Sequence, residues 1–252
     1  MIIEMFGPPA AGKTTVARAL TRQLQDAGFV VESIVSNRPA DWDGASNGSG
    51  PLKSFRSLIS RLARPAAQAV PALIEAMRQG HSSARLLKLD PPRTLLSRLR
   101  LQRYLMQLSN TWERAARADH VVLFDQGYVQ AACSLIQSGH KDPGGELREQ
   151  LLDAIPKSDL LVGITAPRAV LEDRLRERLR RQGPLERILE FDLETNIESI
   201  AVIADLEKGL ERRGRDVISI SSLDQPSMMA GLQAVQRKLS DMPDCKKTNA
   251  KS

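Results

Sequence analysis

Five short apolar runs punctuate the chain, at residues 2–6, 29–36, 120–125, 160–165 and 216–221. Each is rich in Val, Ile or Leu and bounded by polar residues or glycine, the pattern of strands buried on both faces. Between them apolar residues recur at helical spacing. That periodicity predicts helices over 13–27, 128–138, 146–155, 167–181, 185–213 and 226–239, with one or more between 52 and 118. Strands alternating with helices imply an α/β fold: a five-stranded, mostly parallel sheet with helices on both faces.

The region before residue 120 is less regular. Residues 37–51, rich in Gly, Ser and Asn, read as a mobile loop. A helical insert then spans about 52–118, with breaks expected at Pro65, Pro71 and Asp90-Pro91-Pro92. Its last part, 93–118, reads as one long helix. Leu95, Leu96, Leu99, Leu105 and Leu108 supply its buried stripe, and Trp112 belongs to the core rather than to a ligand platform. Residues 1–240 are expected to form a single domain, and the polar, lysine-rich 241–252 a disordered tail.

Composition narrows the function classes. Of 252 residues, 42% are hydrophobic and 26% charged, the balance of a soluble globular protein. Aromatics at 4% disfavour stacking on single-stranded nucleic acid, and no recognition-helix, zinc or RNA-binding pattern occurs. Cys133 and Cys245 fit no disulfide framework or metal spacing, and His81, His120 and His140 are scattered. With no leader and no apolar run of membrane length, a cytoplasmic location is expected. The net charge of +6 is uneven: between Lys53 and Arg103 eleven basic residues face only Glu75 and Asp90. That segment suits an anionic partner, or the solvated face of arginine-rich helices.

The sharpest chemistry lies after the first predicted strand. Gly7-Pro8-Pro9-Ala10-Ala11-Gly12-Lys13-Thr14-Thr15 fulfils G-x-x-x-x-G-K-[ST], placed between a strand and a helix. Glycines let backbone N–H groups wrap phosphates while the helix points its positive end at them. Lys13 then reaches the terminal phosphates and the Thr14 hydroxyl ligates Mg²⁺. Gly7, Pro8, Ala10, Ala11, Gly12, Lys13, Thr14 and Thr15 are therefore the expected nucleotide-binding residues. A second candidate is Asp125, an acid ending an apolar strand. It suits a metal shell or a general base, the preferred reading, and is compatible with a cap for the helix from Tyr128.

Together these elements resemble the P-loop kinases of the nucleoside and nucleotide kinase-like group, which includes thymidylate and adenylate kinases. Gly7-Pro8-Pro9 with Gly12-Lys13-Thr14 resembles the adenylate kinase loop, Ala10 standing where that loop has glycine. Phe124-Asp125-Gln126-Gly127 takes the place of the Asp-Arg-Tyr element of thymidylate kinases, and Asn37-Arg38-Pro39 that of their Arg-Glu-Pro. The run Leu171 to Arg178 resembles their arginine-rich entry into a lid, here about 174–187.

The resemblance implies a P-loop NTPase three-layer sandwich and an ATP- and Mg²⁺-dependent phosphotransferase. Lys13, Asp125, Arg174 and Arg178 would be its catalytic residues, and Thr14 and Asp125 its metal ligands. Arg38 and Gln126 would face the acceptor, an anionic small molecule such as a nucleotide or nucleoside. Gln126 replaces the arginine that touches substrate phosphate in thymidylate kinases. Arg174 and Arg178, four apart, share one helix face; pairing with Glu172, Asp173 and Glu177 is the alternative use for them. The competing function is a nucleotide-dependent switch or ATPase whose basic insert meets an acidic partner or membrane surface. Oligomeric state is left open.

Overall fold

In the computed structural model, residues 1–35, 82–89, 95–138, 145–181 and 193–242 are described. Arg38, the loop at 37–51, most of the basic insert, the lid turn at 182–187 and residues 243–252 lie outside them. In chain order the elements are β1 (Ile2–Phe6), α1 (Lys13–Asp26), β2 (Val31–Ile34), α2 (Ser82–Leu89), α3 (Leu95–Ala116), β3 (Val121–Phe124) and α4 (Tyr128–Ser138). Then come α5 (Glu146–Ala154), β4 (Leu160–Thr165), α6 (Arg168–Arg181), α7 (Leu193–Arg212), β5 (Val217–Ser221) and α8 (Gln225–Asp241).

The five strands form one sheet in the order β2-β3-β1-β4-β5, every pair parallel. The expected mostly parallel sheet is thus wholly parallel. Alternation along each strand divides the core in two. Ile2, Phe6, Val122, Phe124 and Leu161 face α2, α3, α4, α5 and α7. Ile3, Met5, Val121, Leu123, Val162 and Ile220 face α1, α6 and α8. The result is a three-layer α/β sandwich.

Sequence periodicity placed these elements closely, with two differences. The second strand is shorter than 29–36: Gly28, at φ +88, turns the chain, and only Val31–Ile34 pairs, on one side, because β2 is the sheet edge. α8 runs through Asp241, so the ordered chain extends past the expected start of the tail. Asp224 begins that helix by accepting from the Ser227 amide at 2.8 Å, followed by Gln225 and Pro226 in the first turn. The long helix of the insert is α3; its Leu105 and Leu108 are buried. Trp112 packs tilted against Phe124 and edge-on to Tyr128, with centroids 5.0 and 5.1 Å apart, a core role as expected. Cys133 is packed beside it in α4, and burial pushes its thiol up to about 12, so it stays an unreactive apolar filler. Among the described residues no helix is long and apolar enough to cross a membrane.

Candidate functional site at the carboxyl edge of the sheet

β1 is the strand about which the connections reverse, since β2 and β3 lie on one side of it and β4 and β5 on the other. Ligands of open α/β sheets bind in the crevice at the carboxyl ends beside such a strand. The loop leaving β1 is the phosphate-loop motif read from sequence. Its shape depends on three backbone angles: Gly7 at φ +155, Ala10 at +61 and Gly12 at +84. Ala10 keeps the left-handed conformation that a glycine would adopt freely, at about 1–2 kcal/mol of strain. The Ala-for-Gly change therefore leaves the loop's curl in place.

Gly7 is needed for a different reason. A Cβ built there would come 2.5 Å from the Ile164 carbonyl oxygen on β4. That carbonyl belongs to a strand paired on both sides and has nowhere to retreat. Gly7→Ala is expected to destabilise the fold by about 1–3 kcal/mol, the usual cost of overpacking, read as a lower denaturant midpoint with an unchanged slope.

α1 begins at Lys13, and no side chain caps its N-terminus at Gly12. Its first-turn amides have no carbonyl of their own helix to reach, so this end is built to receive an anion. Lys13 is 5% exposed, and its Nζ donates to the Gly7 and Pro8 carbonyls at 2.6 and 3.0 Å. The ammonium is thus held over the mouth of the loop by groups that a phosphate oxygen can replace. Thr15 is exposed on the same turn; Ala11 is buried beneath the loop.

Asp125 reaches this site through strand register. β3 runs parallel to β1, with Glu4 opposite Phe124, so both strands end at the same edge. Phe124 faces α3 and α4. By alternation the next residue faces α1. Asp125 is fully buried, and Thr14 Oγ1 donates to its Oδ2 at 3.2 Å across 111 residues of sequence. The Asp125 amide donates to the Ile34 carbonyl at 3.1 Å, extending the sheet ladder to the site.

The N-terminus of α4, for which a cap by Asp125 was the alternative use, is also served by an acid of β1. Val129 N, in the first turn of α4, donates to Glu4 Oε1 at 2.6 Å. Glu4 sits mid-strand on β1, 1% exposed, facing away from α1. Burial pushes its carboxyl up to about 7, against the Val129 amide and the Arg215 guanidinium, which favour the charged form. Gly127 lies against it: a Cβ there would meet Glu4 Cδ at 2.6 Å. Tyr104 from α3 donates its hydroxyl to the Gly127 carbonyl at 3.2 Å. Desolvation, then the charges of Glu4 and Asp125, hold that phenol well above its ordinary range. Glu4, Tyr104 and Gly127 had no assigned role in the sequence reading. The available signal was the one charge inside Ile2-Ile3-Glu4-Met5-Phe6, a run otherwise fit for complete burial.

A folded-state carboxyl raised from 4.5 to about 7 binds its proton more tightly than in the unfolded chain. Its stabilising contribution is full below pH 4.5 and is lost as pH rises through 7. Relative to Glu4→Gln, which cannot ionise, the wild type is expected to lose on the order of 3 kcal/mol across that window and nothing further above it. Denaturant unfolding of both proteins between these limits checks the sign and the plateau.

The remaining sequence-predicted residues fall at different distances from this centre. Gln126 is half-buried beside Asp125. On α6 the acids are taken by other arginines: Arg168 and Arg176 pair with Glu172, Arg176 with Asp173, and Arg180 and Arg181 with Glu177. Arg174 instead crosses to the carboxyl end of β5, donating to Ser222 Oγ and O at 3.1 and 2.7 Å. Arg178 is half-buried on the same face. Neither helix-surface pairing nor contact with the loop describes Arg174; it ties α6 to the sheet edge beside the site.

The Thr14 hydroxyl and Asp125 carboxylate offer two converging oxygen donors, the hard ligands that Mg²⁺ takes alongside phosphate and water. Among the described residues no cluster of three or more His, Cys, Asp or Glu is placed to hold a metal by protein ligands alone. A parallel 2-3-1-4-5 sheet, with this loop between β1 and α1, is the P-loop NTPase three-layer arrangement.

No family model matches the chain, and no curated protein matches it. Solved structures do. They include deoxyadenosine kinase from M. mycoides with products dCMP and a flexible dCDP bound (TM-score 0.49, 13% identity, covering 96% of this chain and 100% of that chain). The same enzyme with bound dATP gives TM-score 0.48 and 12% identity, and with bound dCTP 0.46 and 11%, at the same coverage of both chains.

Proposed function

We propose that this protein is an ATP- and Mg²⁺-dependent phosphotransferase acting on a small-molecule acceptor, a nucleotide or nucleoside in the first instance. One observation carries the reading: Thr14, next to Lys13 at the end of the glycine-bounded loop, donates its hydroxyl to a buried strand-end aspartate at 3.2 Å. A structural turn has no use for that convergence. Phosphoryl transfer needs it, because its catalysis is largely positioning and charge neutralisation.

The residues divide the task. The loop amides from Ala10 to Thr15 and the N-terminus of α1 receive the β- and γ-phosphates. Lys13 leaves the Gly7 and Pro8 carbonyls for phosphate oxygens. Thr14 and Asp125 would hold Mg²⁺, directly or through water; when bound, the ion neutralises charge shared between the two terminal phosphates. The alternative task for Asp125 would be to accept the proton of an attacking hydroxyl. Gln126, a neutral amide beside it, favours an acceptor bound by hydrogen bonding over one bound by its phosphate. Arg174 and Arg178 are retained on sequence grounds as the residues that would add positive charge to the transferring phosphoryl group. Arg38 is retained as an acceptor-side residue on sequence grounds.

The test is ADP release with Mg²⁺-ATP against a panel of nucleosides, nucleotides and sugars. Release that rises with one acceptor above the water background supports the kinase. Release stimulated only by anionic vesicles or an acidic protein, with no acceptor effect, assigns the site to the switch or ATPase instead.

A further inference from the structure

Glu4 is an unexpected residue for its position. A methionine or leucine would fill the same space between β1, α3 and α4 without burying a carboxylate, a costly act unless the group is well bonded. What Glu4 does hold is the corner by which the chain passes from Asp125 into α4. Its Oε1 accepts the Val129 amide at 2.6 Å, and Gly127 rests directly on its carboxyl. Tyr104 fixes the Gly127 carbonyl from α3, and Trp112 lies against Phe124 before the corner and Tyr128 after it. The charged neighbours are Arg215 and, through the Tyr104 phenol, Asp125. Glu4 also belongs to β1, the strand that launches the phosphate loop at Gly7. One strand therefore leads into the loop that ends at Lys13 and Thr14 and holds the Asp125 corner by its side chain.

We propose that Glu4 is a positioning residue: by capping α4 from β1 it locks the Asp125-Gln126-Gly127 corner in register with the phosphate loop, so that Asp125 and Thr14 meet a metal as one site. This rests on the metal reading of Asp125 given above. Glu4 touches neither nucleotide nor metal and acts only through the corner. Ligand-orienting residues of this kind typically change metal affinity by about 10–100-fold when removed.

The experiment compares the full-length wild type, Glu4→Met and Glu4→Gln at pH 8. Met fills the volume without an acceptor, and Gln restores the acceptor without the charge. Thermal unfolding first establishes that all three are folded. Two quantities are then read: amide exchange over 126–131, and the gain in ATP affinity on adding Mg²⁺, by calorimetry. Glu4→Met is expected to raise exchange in that segment and to cut the Mg²⁺-dependent gain about tenfold or more. Metal-free ATP affinity should change by less than about twofold, because the Lys13 half is untouched. Glu4→Gln is expected to recover most of both effects. Unchanged exchange in Glu4→Met overturns the clamp, and raised exchange with an undiminished gain overturns its action on Asp125. If the wild type itself shows no Mg²⁺-dependent gain, the metal reading of Asp125 fails, and with it the inference that Glu4 serves a metal site. The exchange result still separates that failure from the absence of a clamp.

Discussion

Lys13→Ala is expected to weaken ATP binding by about 100- to 1,000-fold while leaving the fold intact. The ammonium would make two or more charge-assisted hydrogen bonds to phosphate, each contributing about 1.5–3 kcal/mol. Losing them, less what water recovers, leaves a deficit on the order of 3–4 kcal/mol, which corresponds to that range of affinity. Stability is expected to fall by only about 1–3 kcal/mol, the cost of leaving the buried Gly7 and Pro8 carbonyls without the Lys13 ammonium. Calorimetric titration with ATP and a thermal melt separate the two effects. Undiminished affinity in a folded variant would remove the loop from the donor site.

Asp125→Ala should do the reverse, keeping much of the triphosphate affinity and losing turnover. A drop of about 10²–10⁴ in kcat is the usual range for removing a group that transfers a proton or completes a preorganised site. The burial of Asp125 and its 3.2 Å contact with Thr14 favour the metal task over the base task. In the metal case the Mg²⁺ concentration for half-maximal rate rises steeply and excess Mg²⁺ restores part of kcat. If Asp125 is the base, kcat stays low at every Mg²⁺ concentration. Asp125→Asn, which keeps an oxygen near Thr14 but not the charge, should fall between wild type and Ala in Mg²⁺ demand. A variant that turns over as fast as wild type at low Mg²⁺ would exclude both roles.

The legibility of this chain follows from how locally each feature is encoded. Strands β1, β4 and helix α4 coincide with the apolar runs and periodicities that predicted them, because a strand buried on both faces is a continuous hydrophobic word. The phosphate loop is legible for the same reason: its chemistry is contained in eight consecutive residues. Asp125 was visible as an acid closing such a run. Its pairing with Thr14 came from the family resemblance alone; spacing does not show it, since Thr14 and Asp125 meet only through the β1–β3 register, 111 residues apart in sequence.

Glu4 shows the limit most clearly. Its function lies in a bond to Val129, set by tertiary contact alone. Sequence could show only that a charge interrupts a buried run, and reading the run as apolar passed over it. Arg174 illustrates the complementary case. Spacing placed it correctly on a shared face with Arg178, yet periodicity holds no information about Ser222, which it grips from across the sheet edge. Arg38 and the turn expected at 182–187 belong to segments outside the described residues.

The central claim is that the site passes the terminal phosphoryl group of ATP to another molecule rather than to water. Incubation of the wild type and Lys13→Ala with Mg²⁺ and γ-phosphate-labelled ATP, in the presence of a nucleoside and nucleotide panel, tests it most directly. The account predicts label in a new phosphorylated small molecule with the wild type and none with Lys13→Ala. Label that passes only to inorganic phosphate, whatever acceptor is supplied, would contradict it.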